Sequence, residues 1–240
     1  MIFIIVEEAL ELALIVASTY LISGFYIRCY QPKWSKPLDK RRFTALLVLV
    51  LVVSTLKISE DVFEGETGSI DKAILIFIHG YVPSSLTGFF EALTYTGSAM
   101  VLFPLATIVA ITLFYKKYRI EAMIVSASSI GGVIVIYLIK SLVSRPRPAL
   151  WDTAWYWGSS FPSGHTLAVA AFATSTALCV RTIWPTWHKS ALSIAMLWIS
   201  LVAMSRLVLG VHWPMDVVIA ACIGAFIPLV ISVALDLRAT

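Results

Sequence analysis

Two stretches of the 240-residue chain concentrate side chains that could hold and attack an anion. The first, "KSLVSRPRPALWDTAWYWGSSFPSGH" (140–165), offers Lys140, Arg145, Arg147, Ser163 and His165. The second, "SRLVLGVHWPMD" (205–216), offers Arg206, His212 and Asp216. Arginine grips phosphate through paired, fixed donors, and lysine adds a point charge. Pro146 and Pro148 disfavour helix at the residues before them, so Arg145 and Arg147 should lie in an extended segment that fixes two guanidinium groups. The alternative is a basic side chain snorkelling from a helix end, which fits Lys140 alone equally well.

The run Pro162-Ser163-Gly164-His165 precedes a long apolar segment. Ser163 and Gly164 would form the first turn of its helix, whose outward N–H groups make a ready anion site, with His165 beside the anion. An ordinary N-cap by Ser163 reads the same residues without function. In "HWPMD", Pro214 suits the first turn of a helix. His212 and Asp216 would then share a face. Asp216 could accept a hydrogen bond from one ring nitrogen of His212 and leave the other as base or nucleophile, as in catalytic triads. A His-Asp pair that merely closes a helix N-terminus is the competing reading.

Three spacings stand in order: Lys140, six residues, Arg147-Pro148; then Pro162-Ser163-Gly164-His165; then Ser205-Arg206, five residues, His212, three residues, Asp216. Together they resemble the type 2 phosphatidic acid phosphatase (PAP2) family of membrane lipid phosphatases, across about residues 43–235. Each spacing is unspecific alone; the ordered set is highly specific. The resemblance implies an all-α integral membrane fold with a six-helix core. It implies that His212 is a nucleophile forming a phosphohistidine, that Asp216 orients it and that His165 protonates the leaving oxygen. Lys140, Arg147, Arg206, Ser163 and the Gly164 N–H would hold the phosphoryl oxygens, in keeping with a reaction that needs mainly positioning and charge stabilisation. No metal or other cofactor is expected; Arg145 falls outside the signature.

The expected function is hydrolysis of a phosphomonoester or pyrophosphate on a membrane lipid: undecaprenyl pyrophosphate, phosphatidylglycerophosphate or phosphatidic acid. A phosphotransferase would use the same intermediate. A transporter of an anionic lipid would use cations and helix ends but needs no nucleophile with its own carboxylate. A vanadate haloperoxidase would share the anion site but is soluble.

These residues need elements to position them, and the composition says which. The chain is 59% hydrophobic and 13% charged, with a net charge of +4 and a mean hydropathy of +0.89. An ordinary soluble domain is about a quarter charged, so this is a membrane protein. Nothing points to a nucleic-acid partner. Cys29, Cys179 and Cys222 show no regular spacing, which argues against a disulfide framework or a zinc site. The N-terminus carries Glu7, Glu8 and Glu11 where a secretory signal would be basic.

Seven apolar segments are expected to span: about 9–27, 43–59, 94–115, 122–139, 165–183, 190–204 and 214–235. A short interfacial helix is expected over 70–90, broken near Pro83. Residues 1–42 form an N-terminal helix and basic loop, and 43–240 the PAP2-like domain. The connection 28–42 holds Arg28, Lys33, Lys36, Lys40, Arg41 and Arg42, and 116–121 reads "KKYRIE"; both should be cytoplasmic. The connection 60–72 is acidic and should lie outside with 140–164 and 205–213. The site would then face the periplasm or exterior of a bacterial inner membrane, where Trp151, Trp155 and Trp157 suit the interface.

Overall fold

The apolar segments all become helix in the computed structural model, which describes residues 2–30, 42–151 and 158–239. Nine α-helices and no strand occur among these residues: α1 (Ile2–Tyr30), α2 (Arg42–Glu64), α3 (Gly68–Tyr81), α4 (Thr87–Tyr95), α5 (Ala99–Tyr115), α6 (Arg119–Leu142), α7 (Gly164–Ile183), α8 (His188–Val208) and α9 (Pro214–Ala239). Lys33, Lys36, Lys40 and Arg41 of the basic connection, and Trp155 and Trp157, lie outside the described residues.

Among the described residues four helical stretches are long and apolar enough to cross a membrane: Arg119–Leu142, Gly164–Ile183, Pro185–Val208 and Pro214–Leu235. Helix α3 and the stretch Ser84–Tyr95 would together make a fifth, bent by 93°. Pro83 starts that bend, as its fixed φ and missing N–H require. Helix α5 is apolar but only 17 residues long. The expected start of its segment at 94 is corrected: α4 ends at Tyr95 and the chain turns through Thr96–Ser98 before α5 begins. Gly97 lets that turn lie flush on the bundle, because a Cβ there would come within 2.9 Å of Val202 and 3.1 Å of Val169.

Two loop boundaries also move. Helix α6 runs to Leu142 and α8 to Val208, so Lys140 and Arg206 stand in final helical turns instead of loops. Nothing in either sequence breaks the helix earlier. The first obstacle after α6 is Pro146, and after α8 it is Gly210, which turns the chain at φ +66°.

Helix α7 is the centre of the bundle. Leu167, Val169, Ala170 and Ala171 are fully buried along it, and small residues let its neighbours come close. Gly224 of α9 is the tightest point: a Cβ there would meet the Leu167 carbonyl at 2.5 Å and Ala170 Cβ at 2.6 Å. The outer helices bare large apolar side chains, among them Met100, Phe103, Ile130, Leu138 and Leu197. Such a belt is tolerable where lipid tails are the solvent. The chain is an integral membrane protein.

Candidate active site

The end of the bundle that gathers the C-termini of α6 and α8 and the N-termini of α7 and α9 collects the residues singled out by the sequence. Ser163 ties two of these ends together, donating its backbone N–H to the Asp216 carbonyl (3.2 Å). Between α6 and α7 the Arg-Pro segment is held extended. Arg145 N–H donates to Ser159 Oγ (3.2 Å), and Ser160 N–H donates to the Arg145 carbonyl (2.9 Å).

This brace turns two basic side chains to one place. Lys140 Nζ donates to the Ser159 carbonyl, and Arg147 Nη2 reaches the same oxygen at 3.5 Å. Arg147 Nη1 donates to the Val211 carbonyl (2.8 Å) and faces His212 Nε2 at 3.3 Å. Arg206, 1% exposed, enters from α8 and donates to Thr94 Oγ1 (2.7 Å). His165, partly buried in the first turn of α7, lies in the fields of Arg206, His212, Arg147 and Lys140.

Ser163 occupies the N-cap position of α7, but its side chain makes no capping bond. Its Oγ pairs with Thr166 Oγ1 at 3.0 Å. The first N–H taken up inside the helix is that of Leu167, bonded to the Ser163 carbonyl (3.0 Å). The N–H groups of Gly164, His165 and Thr166 precede it and have no intrahelical acceptor, which is the usual basis of anion binding at this end of a helix. Packing does not demand the glycine, since a Cβ at 164 would meet only Ile136, at 3.8 Å.

His212 sits in the turn before α9, buried to 2% exposure. The expected placement of His212 and Asp216 together on one helix is corrected: α9 begins at Pro214. Their Nδ1–Oδ2 separation is 3.8 Å, too long for a hydrogen bond. Asp216 instead takes other donors. Oδ1 accepts from Arg145 Nη1 (2.5 Å). Oδ2 accepts from Ser160 Oγ and from the Trp213 N–H (3.0 Å).

Arg145 is therefore no part of the cationic cluster. Its second fork nitrogen donates to Asp71 Oδ2 (2.6 Å) and Thr67 Oγ1 (3.2 Å). Burial alone would pull its pKa down, but the Asp216 and Asp71 carboxylates outweigh that and hold it above the ordinary arginine value. His212 is shifted the other way, to about 4. Burial is the main cause, Arg206 and Arg147 add to it, and Asp216 opposes. The imidazole is neutral at pH 7.

Arg147 also fixes the tautomer. A guanidinium can only donate, so the Nε2 that faces it carries the lone pair. The ring proton is left on Nδ1, the side of Asp216.

Spacing alone did not reveal Asp71, Thr67, Thr94 or Ser160. Asp71 reads as one more acidic loop residue, and its only signal is an aspartate inside an apolar helical pattern. Beside His165 a cleft of about 710 Å³ opens between α3, α4 and the α8–α9 turn, with Glu91, Thr94, Tyr95 and Trp151 in its walls. Trp151 stacks on His79 (centroids 4.0 Å apart). It also covers Gly210, where a Cβ would come within 2.5 Å of the indole. Among the described residues no group of three His, Cys, Asp or Glu could hold a metal ion.

A helical membrane bundle that gathers Lys140, Arg147 and Arg206 beside a helix N-terminus defines the class. Residues 121–238 match the PAP2 superfamily. This stretch of the chain carries a PAP2-family domain. A stretch of 67 residues is 42% identical to phosphatidylglycerophosphatase B of Escherichia coli K12 and to its Shigella flexneri counterpart; it covers 28% of this chain and 25% of those proteins. The match thus spans a quarter of the relatives' length. The fold resembles the crystal structure of a transmembrane PAP2-type phosphatidylglycerolphosphate phosphatase from Bacillus subtilis (TM-score 0.73, 22% identity, 80% of this chain and 97% of that one). It also resembles LpxE of Aquifex aeolicus (TM-score 0.55, 25% identity, 67% and 93% coverage).

Proposed function

We propose that the chain is a membrane lipid phosphatase acting through a phosphohistidine on His212. The observation that carries this reading is the neutral, buried His212, whose Nε2 lone pair faces the Arg147 guanidinium at 3.3 Å. A phosphoryl group held by Lys140, Arg147, Arg206, Ser163 and the N–H groups at the start of α7 would present its phosphorus to that lone pair.

The reaction then follows in two displacements. Nε2 attacks phosphorus as the ester P–O bond breaks, and His165 gives its proton to the leaving oxygen. The Nδ1–H of the phosphorylated ring turns to Asp216; catalytic contacts are often long before substrate binds and tighten with it. Water next attacks phosphorus, His165 takes the water's proton, the P–N bond breaks and phosphate leaves. The cations neutralise the charge that develops on the equatorial oxygens.

The cleft beside His165 is placed for the leaving group. Among its described wall residues Glu91 is the one acidic side chain and there is no Lys or Arg. That favours an alcohol leaving group, hence a lipid phosphomonoester, over a second phosphate. Phosphatidylglycerophosphate and phosphatidic acid fit better on this ground than undecaprenyl pyrophosphate, and the names of the relatives point the same way. The acidic connection 60–72 and the basic 116–121 support a site on the periplasmic or extracellular side of a bacterial inner membrane.

The test is phosphate release by the purified protein in detergent from those three lipids. Release from the monoesters, lost in His212→Ala, is the expected result. No release from any lipid phosphate would overturn the reading.

A further inference from the structure

Asp71 and Arg145 form a partly buried bridge with no place in the mechanism above. Asp71 lies in the first turn of α3 and is fully buried. Its Oδ2 binds Arg145 Nη2 at 2.6 Å, while its Oδ1 accepts the Met215 N–H at 2.9 Å. It thus grips both the arginine that holds Asp216 and the backbone residue next to Asp216. The other fork nitrogen of Arg145 completes the bridge to Asp216 Oδ1 at 2.5 Å. The arginine lies 5.8 Å over the Trp213 ring, which closes the same turn.

We propose that Asp71 and Arg145 are positioning residues that fix the Asp216 carboxylate, and the first turn of α9 carrying it, against His212; this rests on the phosphatase reading. The chemistry requires such a device. Asp216 must present one oxygen to Nδ1 when the ring becomes charged, yet a carboxylate on a free side chain rotates and would move onto the nearby cations. Arg145 holds one of its oxygens, and Ser160 with the Trp213 N–H holds the other toward His212. A guanidinium facing Asp216 alone would also cancel much of its charge. Asp71 shares that guanidinium, so Asp216 keeps the negative potential that stabilises the imidazolium. The planar fork is needed because two carboxylates must be bridged at once; the single ammonium of a lysine cannot span them in this geometry.

The experiment is a double-mutant cycle on kcat and KM, with Asp71→Asn, Asp216→Asn and both together in the full-length protein. Asp71→Asn removes one acceptor, so either the Arg145 or the Met215 bond is lost. We expect kcat to fall about 10- to 100-fold, with KM unchanged within about twofold. In the Asp216→Asn background the same change should cost about twofold at most, because residues that act as one unit are not additive.

Losses that multiply, or a defect in KM instead of kcat, would overturn the proposal. Arg145→Lys, read in the same cycle, decides if Asp71→Asn does not yield folded protein. A wild-type protein inactive on every lipid phosphate would instead remove the phosphatase reading; an active wild type with additive losses removes the positioning role alone.

Discussion

Arg147 leaves the lone pair of His212 on Nε2, and on the proposed mechanism this shapes what single substitutions should do. Asp216→Asn leaves the ring neutral but gives the charged intermediate no anion. Arg206→Lys keeps a charge but loses the planar fork. Each should lower kcat about 10²-fold, measured as initial rates on a lipid monoester in detergent; near-wild-type turnover in both would break the assigned constellation. The depressed pKa of His212 has a second consequence. An unfolded histidine titrates near 6.5 and the native one near 4, so between these values the unfolded chain binds more protons. Stability should therefore be fully present above about pH 6.5 and fall as the pH drops toward 4. Thermal unfolding across that range should show the fall in wild type and a shallower one in His212→Gln; parallel curves would contradict the buried neutral imidazole.

At the scale of elements, the site depends on how closely α9 lies against α7. A methyl group on Gly224 must push against the Leu167 backbone, two residues beyond His165. Gly224→Ala should lose about 1–3 kcal/mol, whereas Gly80→Ala in α3, with nothing within 4 Å of the added carbon, should be neutral or slightly stabilising. Unfolding midpoints of the two variants check this, and equal midpoints would contradict the packing. The helices themselves were legible because apolar runs in a membrane chain have one available structure. Their ends were less so: Lys140 and Arg206 extend helices that polarity alone would stop, and Thr96–Ser98 splits a continuous apolar run without a proline. The clustering of the candidate residues was legible because Lys140, Arg147, His165, Arg206, His212 and Asp216 all fall at or just beyond helix ends that meet at one end of the bundle. The Asp71–Arg145 bridge was hidden, because it joins residues 74 apart whose pairing depends on how α3 folds back over the site.

For the molecule as a whole, the charge pattern and the site must agree on a side of the membrane. The turn at Lys116–Lys117 is at the opposite end of the bundle from His165 and His212, and it is basic. In intact cells free of native cysteines, Ser85→Cys should react with an impermeant thiol reagent, while Lys116→Cys should react only after the cells are opened. The reverse pattern would place the site on the cytoplasmic face and sink the proposed orientation.

The most direct test of the account is to trap the phosphorylated protein in rapid-quench experiments with an activated aryl phosphate. Such a phenol leaves without a general acid, so His165→Ala should still be phosphorylated but should hydrolyse the intermediate slowly for want of a base. The predicted result is a burst of phenol approaching one per protein, with acid-labile, alkali-stable phosphate on the peptide containing His212 and none in the His212→Ala variant. Turnover of the aryl phosphate with no such label, or with the label on any other residue, would contradict it.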